Sequence, residues 1–536
     1  MKTNKYIFAL LAGAMVSFSS CTDGFIEDNA INGAFTDEVK QYDNQMYTAN
    51  FGIMQSGIYF NYAGIGLNWT WQLTQALHHD MYSGYFHDQI SSFNDKNSVY
   101  NVNTGWSNAA WNYTYSAIFP IAYQSELLCA DTEAALHFLG LTKILKVELM
   151  HRIADTYGPI VYTKFGSGED NDVDTLEEAY SAFFADLDEG IEAIEASLAA
   201  GYSNDAFAPY DMLNGGTLTG WLKFANSLRL RLAMRISNVD PTLAKSEAQK
   251  ALSNSNGLLE SSTETIQVSG GTYTNPLNAV GVAWGEAFMG ATMASLLNGY
   301  EDPRREVWYN KATLEGSTDT WLGVPQGVLM AAGDPNHYGV YSALNGETIT
   351  STTPAVLMTA AEVWFLRAEA ALRGYSSESV QDCYETGVET SFAQWGISGA
   401  AEYLASNKKP LDYVEMIPAS GGKDMTALIT ISPAWDSSAD NEGKLEQIIT
   451  QKWIACWPES YEAWSEQRRT GYPRLFKVQY NGSNGAIDTE EMIRRLPFST
   501  DDASSDPVQY GYLLEALGDT DDGGSRLWWD VGGNRF

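Results

Sequence analysis

Apolar residues recur three and four positions apart in several long segments, the spacing that places them on one face of an α-helix. The first such stripe covers residues 141–153 and stops at Gly158 and Pro159, two residue types that end helices. A second stripe begins after Thr175, which stands three residues before Glu178 in the spacing of a capping box. Both segments are predicted to form long amphipathic helices.

Five further segments show helical periodicity or composition. They cover residues 217–239, 244–252, 361–373, 379–395 and 444–467. Glu369 and Arg373 stand four positions apart in the third of them, which favours an ion pair on one helix face. Paired helices with short loops predict a mostly α fold, an antiparallel helix-hairpin scaffold of the tetratricopeptide kind, although no clean repeat of about 34 residues is visible.

Two segments lack helical periodicity and are rich in Gly, Asn, Thr and aromatic residues: 59–106 and 253–353. The end of the chain after Arg474 has the same character. We interpret these stretches as long loops with short strands, and we expect the helical scaffold mainly at 107–252 and 354–475. Because binding residues concentrate on loops that a rigid scaffold holds, the ligand site is expected in the loop-rich part.

Composition adds two constraints. The 536 residues include 16 Trp, 30 Tyr and 21 Phe, and a surplus of rings favours sugar binding, since an aromatic face packs against the C–H face of a pyranose. The formal charge of −35, from 67 acidic and 32 basic residues, repels nucleic acid and anionic lipid surfaces. No nucleic-acid partner is therefore expected.

Residues 1–20 have the parts of a bacterial lipoprotein signal: two lysines, an apolar stretch at 6–16 that is too short to span a bilayer, and two serines directly before Cys21. The pattern predicts cleavage after residue 20 and lipidation of Cys21, with an ordinary cleaved signal peptide as the alternative. Both interpretations export the chain. Residues 21–36 are predicted to be a tether, and 37–536 a single domain.

Other candidate chemistry is sparse. Cys129, Cys383 and Cys456 lie far apart in apolar, helix-like segments, which predicts buried free thiols. The His-His-Asp run at 78–80 has no second group at ligand spacing, so no metal and no cofactor is expected.

No hydrolase or nucleotide-binding signature is present, and the chain is predicted not to be an enzyme. A glycosidase needs only two carboxylates about 5 to 9 Å apart, so a glycoside hydrolase stays open as an alternative.

Several segments, taken in order, resemble the SusD/RagB-like outer-membrane lipoproteins of Bacteroidetes. Besides the lipidated start they cover residues 152–162, 221–236, 362–370, 451–457, 462–469 and 494–498. The approach to the third of these, at 354–362, departs from the more common Arg-Tyr-containing form. That departure suggests a subgroup and weakens any transfer of the founding member's starch-binding residues.

The resemblance implies a helical fold with four tetratricopeptide-like hairpins, which pack against a SusC-like TonB-dependent transporter, and an irregular half that carries the ligand site. It implies a cell-surface protein, lipid-anchored in the outer membrane, that captures oligosaccharides and delivers them to that transporter. The RagB branch handles peptides, which is the main alternative.

Eight residues of the irregular segments are predicted to bind the ligand. They are Trp69, Trp71, Asp80, Tyr82, Tyr85, Trp284, Trp321 and Tyr338. The rings are expected to stack on sugar faces and Asp80 to accept hydrogen bonds from adjacent hydroxyls. Core packing is the alternative for each ring. An open aromatic platform favours sugar, whereas a groove with unpaired backbone groups favours peptide.

Overall fold

Helices form most of the regular structure in a computed structural model of the chain. The model describes residues 45–59, 68–87, 93, 95–130, 132, 135–169, 171–202, 207–270, 273–317, 320–329, 336–533 and 536. The chain divides into two units, Met1–Ala49 and Asn50–Phe536. Helix α1, Gln45–Thr48, belongs to the first unit, and all other elements belong to the second.

The helices of the second unit fall into two runs along the chain, one up to residue 253 and one from residue 291 onward. The first run is α2 Phe51–Ile58, α3 Asn68–Trp71, α4 His79–Tyr82, α5 Thr104–Ser107, α6 Ala109–Tyr113, α7 Phe119–Cys129, α8 Leu136–Tyr157, α9 Leu176–Ala199, α10 Leu218–Arg235 and α11 Pro241–Ser253. The second run is α12 Ala291–Gly299, α13 Arg304–Trp308, α14 Ala360–Leu372, α15 Val380–Gln394, α16 Ala400–Leu404, α17 Asn441–Ala455, α18 Ser460–Thr470, α19 Thr500–Ser505 and α20 Pro507–Leu517.

The long helices pack as successive hairpins. Helix α8 packs along α9, α10 along α11 and α14 along α15, while α10 and α17 both contact α14. At the crossing of α8 and α9 a Cβ on Gly140 would lie 2.6 Å from the carbonyl oxygen of Gly190, so only glycine permits this approach. The prediction of a mostly α scaffold of helix hairpins is confirmed.

Local signals placed the helix ends correctly. In the capping box of α9 the Glu178 amide donates to Thr175 Oγ1 at 3.2 Å, and the Thr175 amide donates to Glu178 Oε2 at 2.9 Å. Gly158, at φ +110°, follows the last residue of α8. The predicted pair on α14 forms as well, with Arg373 Nε 2.8 Å from Glu369 Oε1.

Two helix predictions need correction. Residues 444–467 form two helices, α17 and α18, because Pro458 lacks the amide that a continuous helix requires and restricts the residue before it. The central segment 253–353, predicted as loops and short strands, also contains α12 and α13. Almost every residue of α12 is buried, including the polar Thr292 and Ser295, so burial on nearly all sides leaves the sequence without a clear amphipathic stripe.

In the part of the chain that the structure describes, six short strands form three antiparallel pairs. They are β1 Phe86–His87 with β5 Phe288–Met289, β2 Ile160–Val161 with β3 Val173–Asp174, and β4 Ile266–Val268 with β6 Ala355–Met358. In the first pair Phe86 lies opposite Met289. This ladder joins the early irregular segment to the central loops, and isolated bridges extend it, one between Phe288 and Ala343 and one between Gly290 and Val324.

A buried ionic network holds the helical halves together. Arg231 Nε on α10 lies 2.7 Å from Glu362 Oε1 on α14, and Arg235 Nη1 lies 2.6 Å from Glu466 Oε1 on α18. Although burial raises it, the pKa of Glu462 is held well below its ordinary value by Arg235, Lys452 and Arg231. These three cations therefore favour the ionised form of Glu462 in the core.

The three cysteines Cys129, Cys383 and Cys456 are buried and free, as predicted. Cys21 lies outside the described residues, so its lipidation stays a prediction. Within the described ranges no helix has both the length and the apolar character needed to cross a membrane.

Candidate functional site

Exposure divides the eight predicted ligand residues into two groups. Trp69 and Trp284 are exposed, with 43% and 46% of their surface accessible. The other six are buried: Trp71, Asp80, Tyr82, Tyr85, Trp321 and Tyr338. A ring enclosed by protein cannot stack on a sugar, so for Trp71, Tyr82, Tyr85 and Tyr338 the structure favours the alternative of core packing. Asp80 is enclosed as well, whereas Trp321, although buried for the most part, lines a cavity between α12 and the segment 411–416.

The buried residues of the early segment hold it against the C-terminal helices. The Tyr85 hydroxyl donates to the carbonyl of Trp453, and the two rings lie 4.8 Å apart. The Tyr82 ring lies 5.4 Å from that of Trp464. Trp71 Nε1 donates within its own turn, to Gln75.

Asp80 accepts hydrogen bonds from Gln75 Nε2 at 3.1 Å and from Ser460 Oγ at 2.5 Å. Burial raises its pKa to about 6, while these two hydrogen bonds oppose the shift. The neighbouring His79 stacks on Tyr461, with ring centroids 3.7 Å apart, and burial lowers its pKa. These groups fix the fold. Among the described residues, no three His, Cys, Asp or Glu side chains are grouped so that they could hold a metal ion.

Tyr338 and Trp321 have structural partners of their own. The Tyr338 hydroxyl donates to Glu415 Oε2 at 2.7 Å and lies 2.8 Å from Ser420 Oγ. Trp321 Nε1 donates to the carbonyl of Tyr309 at 3.1 Å. Sequence periodicity could not show either contact, because the partners come from other loops.

The two exposed tryptophans lie on elements that pack together. Trp69 is on α3, which continues into a π-helical turn at Gln72–Ala76. Trp284 directly follows a second π-helical turn, Asn278–Ala283, and α3 packs against that turn. Such turns interrupt regular helices and occur frequently at functional sites.

A hydrogen bond from Gln72 Nε2 to Glu286 Oε2 joins these two elements. Gln72 stands three residues after Trp69, and Glu286 stands two residues after Trp284, so each partner of this contact is close in the chain to one of the exposed tryptophans. Partial burial raises the pKa of Glu286, and the hydrogen bond from Gln72 opposes that rise. We call these four residues the tryptophan platform.

A cavity of about 550 Å³ adjoins the platform. Its lining consists of Gly281, Val282, Gly285, Asn310, Ala343, Leu344, Asn345, Gly346 and Glu347. Trp284 stands between two of these residues, and Gly285 has φ +70°, a conformation that favours glycine. The volume is in the range of small-molecule sites, roughly 300–1,000 Å³.

The polar groups of the cavity are partly committed to the fold. Asn310 Nδ2 donates to the carbonyl of Leu344 at 3.0 Å, and Asn345 Nδ2 donates to the carbonyl of Val307 at 3.1 Å. Glu347 is exposed at the rim. Exposed rings beside amide and carboxylate groups are the combination that recognises the two faces of a sugar, C–H and hydroxyl.

Sequence reasoning placed both exposed tryptophans among the candidate ligand residues, and it did not include Gln72, Glu286, Asn310 or Glu347. Their position beside candidate rings in the loop-rich segments could have pointed to some of them, since Glu286 follows Trp284 and Gly285 directly. The pairing of Gln72 with Glu286, 214 positions apart, has no local signature.

Comparison with known proteins identifies relatives over nearly the whole chain. The family pattern described as SusD-like, the SusD and RagB outer membrane lipoproteins, matches residues 27–530. A SusD homologue from Bacteroides vulgatus is 61% identical with a TM-score of 0.91, and the match covers 93% of this chain and 100% of the homologue. No curated protein matched the sequence.

A chitin-binding SusD homologue from Flavobacterium johnsoniae is 36% identical with a TM-score of 0.85, over 92% of this chain and 100% of that one. A SusD homologue from Bacteroides uniformis is 32% identical with a TM-score of 0.82, over the same shares of the two chains. The sequence pattern and the structures therefore agree on one family and one fold.

Proposed function

This chain belongs to the SusD and RagB family of outer membrane lipoproteins, and from that membership we propose that it captures oligosaccharides at the cell surface and delivers them to a SusC-like TonB-dependent transporter. The lipid anchor is assigned to Cys21, which lies outside the described residues. The proposed role is binding and transfer, without covalent chemistry on the ligand.

The tryptophan platform carries the proposal. Trp69 and Trp284 are the exposed rings of the predicted set, and each is close in the chain to one partner of the Gln72–Glu286 contact and to the cavity beside it. The rings supply faces for pyranose C–H groups, while Glu286 and Glu347 supply acceptors for hydroxyls. An open aromatic surface of this kind favours a sugar over a peptide strand.

The chitin-binding relative supports the choice of ligand class. That protein is 36% identical to this chain and shares its fold over 92% of the length. Oligomers of N-acetylglucosamine therefore belong among the first ligands to try, together with neutral plant and fungal oligosaccharides.

The test is isothermal titration calorimetry of the soluble form, starting at Thr22, against a glycan panel with a peptide mixture as comparison. We expect saturable binding of at least one neutral glycan. Trp284→Ala and Trp69→Ala are each expected to weaken binding about 10-fold or more. Loss of one aromatic ring that packs against a sugar face costs about 1–3 kcal/mol of binding free energy.

Two variants separate binding from folding. Tyr210→Ala removes another exposed ring, outside the platform, and is expected to leave affinity unchanged. Trp71→Ala removes a buried ring two positions from Trp69 and is expected to lower stability by about 3–5 kcal/mol. Binding of peptides alone would favour the RagB-like role, and turnover of a glycan would show an enzyme.

A further inference from the structure

A second cavity, of about 530 Å³, lies apart from the tryptophan platform. Helix α12 supplies one wall, the segment 320–323 another, and the segment 411–416 a third. None of the residues that line it also lines the cavity beside Trp284. It is therefore a separate site on the same protein.

Arg305 reaches into this cavity in a fixed orientation. Its guanidinium carbon lies 4.5 Å from the ring centroid of Trp321, and its Nη1 donates to Asn298 Oδ1 at 3.3 Å. Asn298 in turn donates from Nδ2 to the carbonyl of Trp321 at 2.7 Å. Ring and amide thus hold the guanidinium plane before any ligand arrives, which reduces the entropy lost on binding.

The charge of Arg305 is unusual in its setting. Within the described residues, every other arginine except Arg468 has a carboxylate within 4.0 Å. Arg468 is buried and donates to backbone carbonyls. Arg305 lines a cavity open to solvent with no such partner, although the chain carries a net charge of −35.

Two acidic residues also line the cavity, and both have partners. Glu301 forms an ion pair with Lys408, and that contact, together with the charge of Arg305, lowers the Glu301 pKa. Asp412 Oδ1 accepts a hydrogen bond from the Ala427 amide at 2.8 Å. Arg305 is thus the one cationic side chain among the residues that line the cavity, while Asp412, whose donor is a neutral amide, keeps its negative charge.

The rest of the cavity suits a compact polar ring with an apolar face. Leu411, Val414 and Met416 line it and are exposed apolar side chains on one segment. Ser317 and Thr320 line another side, where the Thr320 hydroxyl donates to the Ser317 carbonyl at 2.8 Å and keeps acceptor capacity. The cavity thus offers apolar surface, hydroxyl groups and one planar cation within a small-molecule volume.

We propose that this cavity is a second saccharide site, selective for a sugar that carries a carboxylate, with Arg305 as the residue that binds the carboxylate. A guanidinium binds a carboxylate through two parallel hydrogen bonds, a geometry that a neutral sugar cannot supply. The site would let the protein hold an acidic sugar residue independently of a neutral chain on the tryptophan platform.

The test uses calorimetry with matched acidic and neutral probes. Trigalacturonic acid is compared with its methyl ester, and sialyllactose with lactose. We expect at least one acidic probe to bind the wild type about 10- to 100-fold more tightly than its neutral counterpart, and added salt to weaken that binding. Arg305→Gln is expected to remove the preference, and Arg305→Lys to restore part of it.

Matched controls separate this site from other effects. Arg474→Gln makes the same charge change at an exposed arginine paired with Glu446 and should leave binding unchanged. Trp284→Ala should also leave acidic-probe binding unchanged. Loss of neutral-glycan binding at the tryptophan platform can therefore be distinguished from loss of acidic-sugar binding at Arg305. The comparison of acid with ester on the wild type stands even if Arg305→Gln lowers stability.

Several outcomes would overturn the proposal. One is equal affinity for acid and ester, another is no binding of either acidic probe, and a third is undiminished binding by Arg305→Gln. Loss of acidic-probe binding in Trp284→Ala alone would place the acidic sugar on the platform instead. Binding of trialanine but not its C-terminal amide, dependent on Arg305 and without sugar binding, would replace the sugar with a peptide carboxylate.

Discussion

Asp80 is a carboxyl group in the protein core whose two hydrogen-bond donors, Gln75 and Ser460, are neutral. Burial disfavours its charged form and raises its pKa to about 6. In the unfolded chain the same group ionises near pH ~3.9. The folded protein therefore disfavours the ionised form of Asp80. As the pH rises from about 4 through 6, Asp80 loses its proton more readily in the unfolded chain than in the folded one, and the free energy of unfolding falls.

Replacement of Asp80 by Asn tests whether the free energy of unfolding falls as the pH rises. Relative to the Asp80→Asn variant, the wild type should lose up to about 3 kcal/mol of unfolding free energy between about pH 4 and pH 7. The measurement is urea unfolding of both proteins at several pH values in that range. Asp95→Asn, at an exposed position, is the control and should show no such difference. Parallel curves for Asp80→Asn and the wild type would contradict the prediction.

Among the elements, helix α9 is the one whose start is set most clearly by local chemistry. Thr175 and Glu178 exchange side chain to backbone hydrogen bonds that satisfy amides at the helix start. Thr175→Ala should lower the unfolding free energy by about 1 kcal/mol, measured by urea unfolding, with faster amide exchange in residues 176–179. Glu178→Gln keeps a reciprocal acceptor and should cost less; an equal cost would show that charge at the helix start matters more than the reciprocal pair.

At the scale of the whole molecule, buried ion pairs join helices that are far apart in the chain. Arg235 on α10 contacts Asp155 on α8 and both Glu462 and Glu466 on α18. Burying charges is costly, so breaking such a network leaves unpaired ions in the core. The two helical halves of the second unit are therefore expected to unfold together.

Glu462→Gln tests that coupling. It removes a charge that contacts Arg231, Arg235 and Lys452, and it should lower the unfolding free energy by about 3–5 kcal/mol. Calorimetry should show one transition for the wild type and for the variant. Lys408→Gln, which breaks an exposed pair with Glu301, should cost less than about 1 kcal/mol. Two separate transitions in the wild type would show that the halves fold independently.

The helices were predictable from sequence because their signals are local. Apolar residues four positions apart, the Thr175–Glu178 box and a glycine after α8 lie within a few residues of the structure they specify. Family membership was likewise visible in short ordered segments. The prediction failed where a short helix is buried on nearly all sides and shows no periodicity, as in α12.

The exposure of the site residues depends on how distant segments pack. Trp69 and Trp71 are two positions apart in one aromatic segment, yet the first is exposed and the second is buried. Tyr85 is buried because Trp453, 368 positions away, covers it, and Gln72 meets Glu286 across 214 positions. Local patterns in the chain were enough to specify most of the long helices, the family and the candidate rings. Which of those rings a ligand can reach follows from contacts between segments that no local pattern encodes.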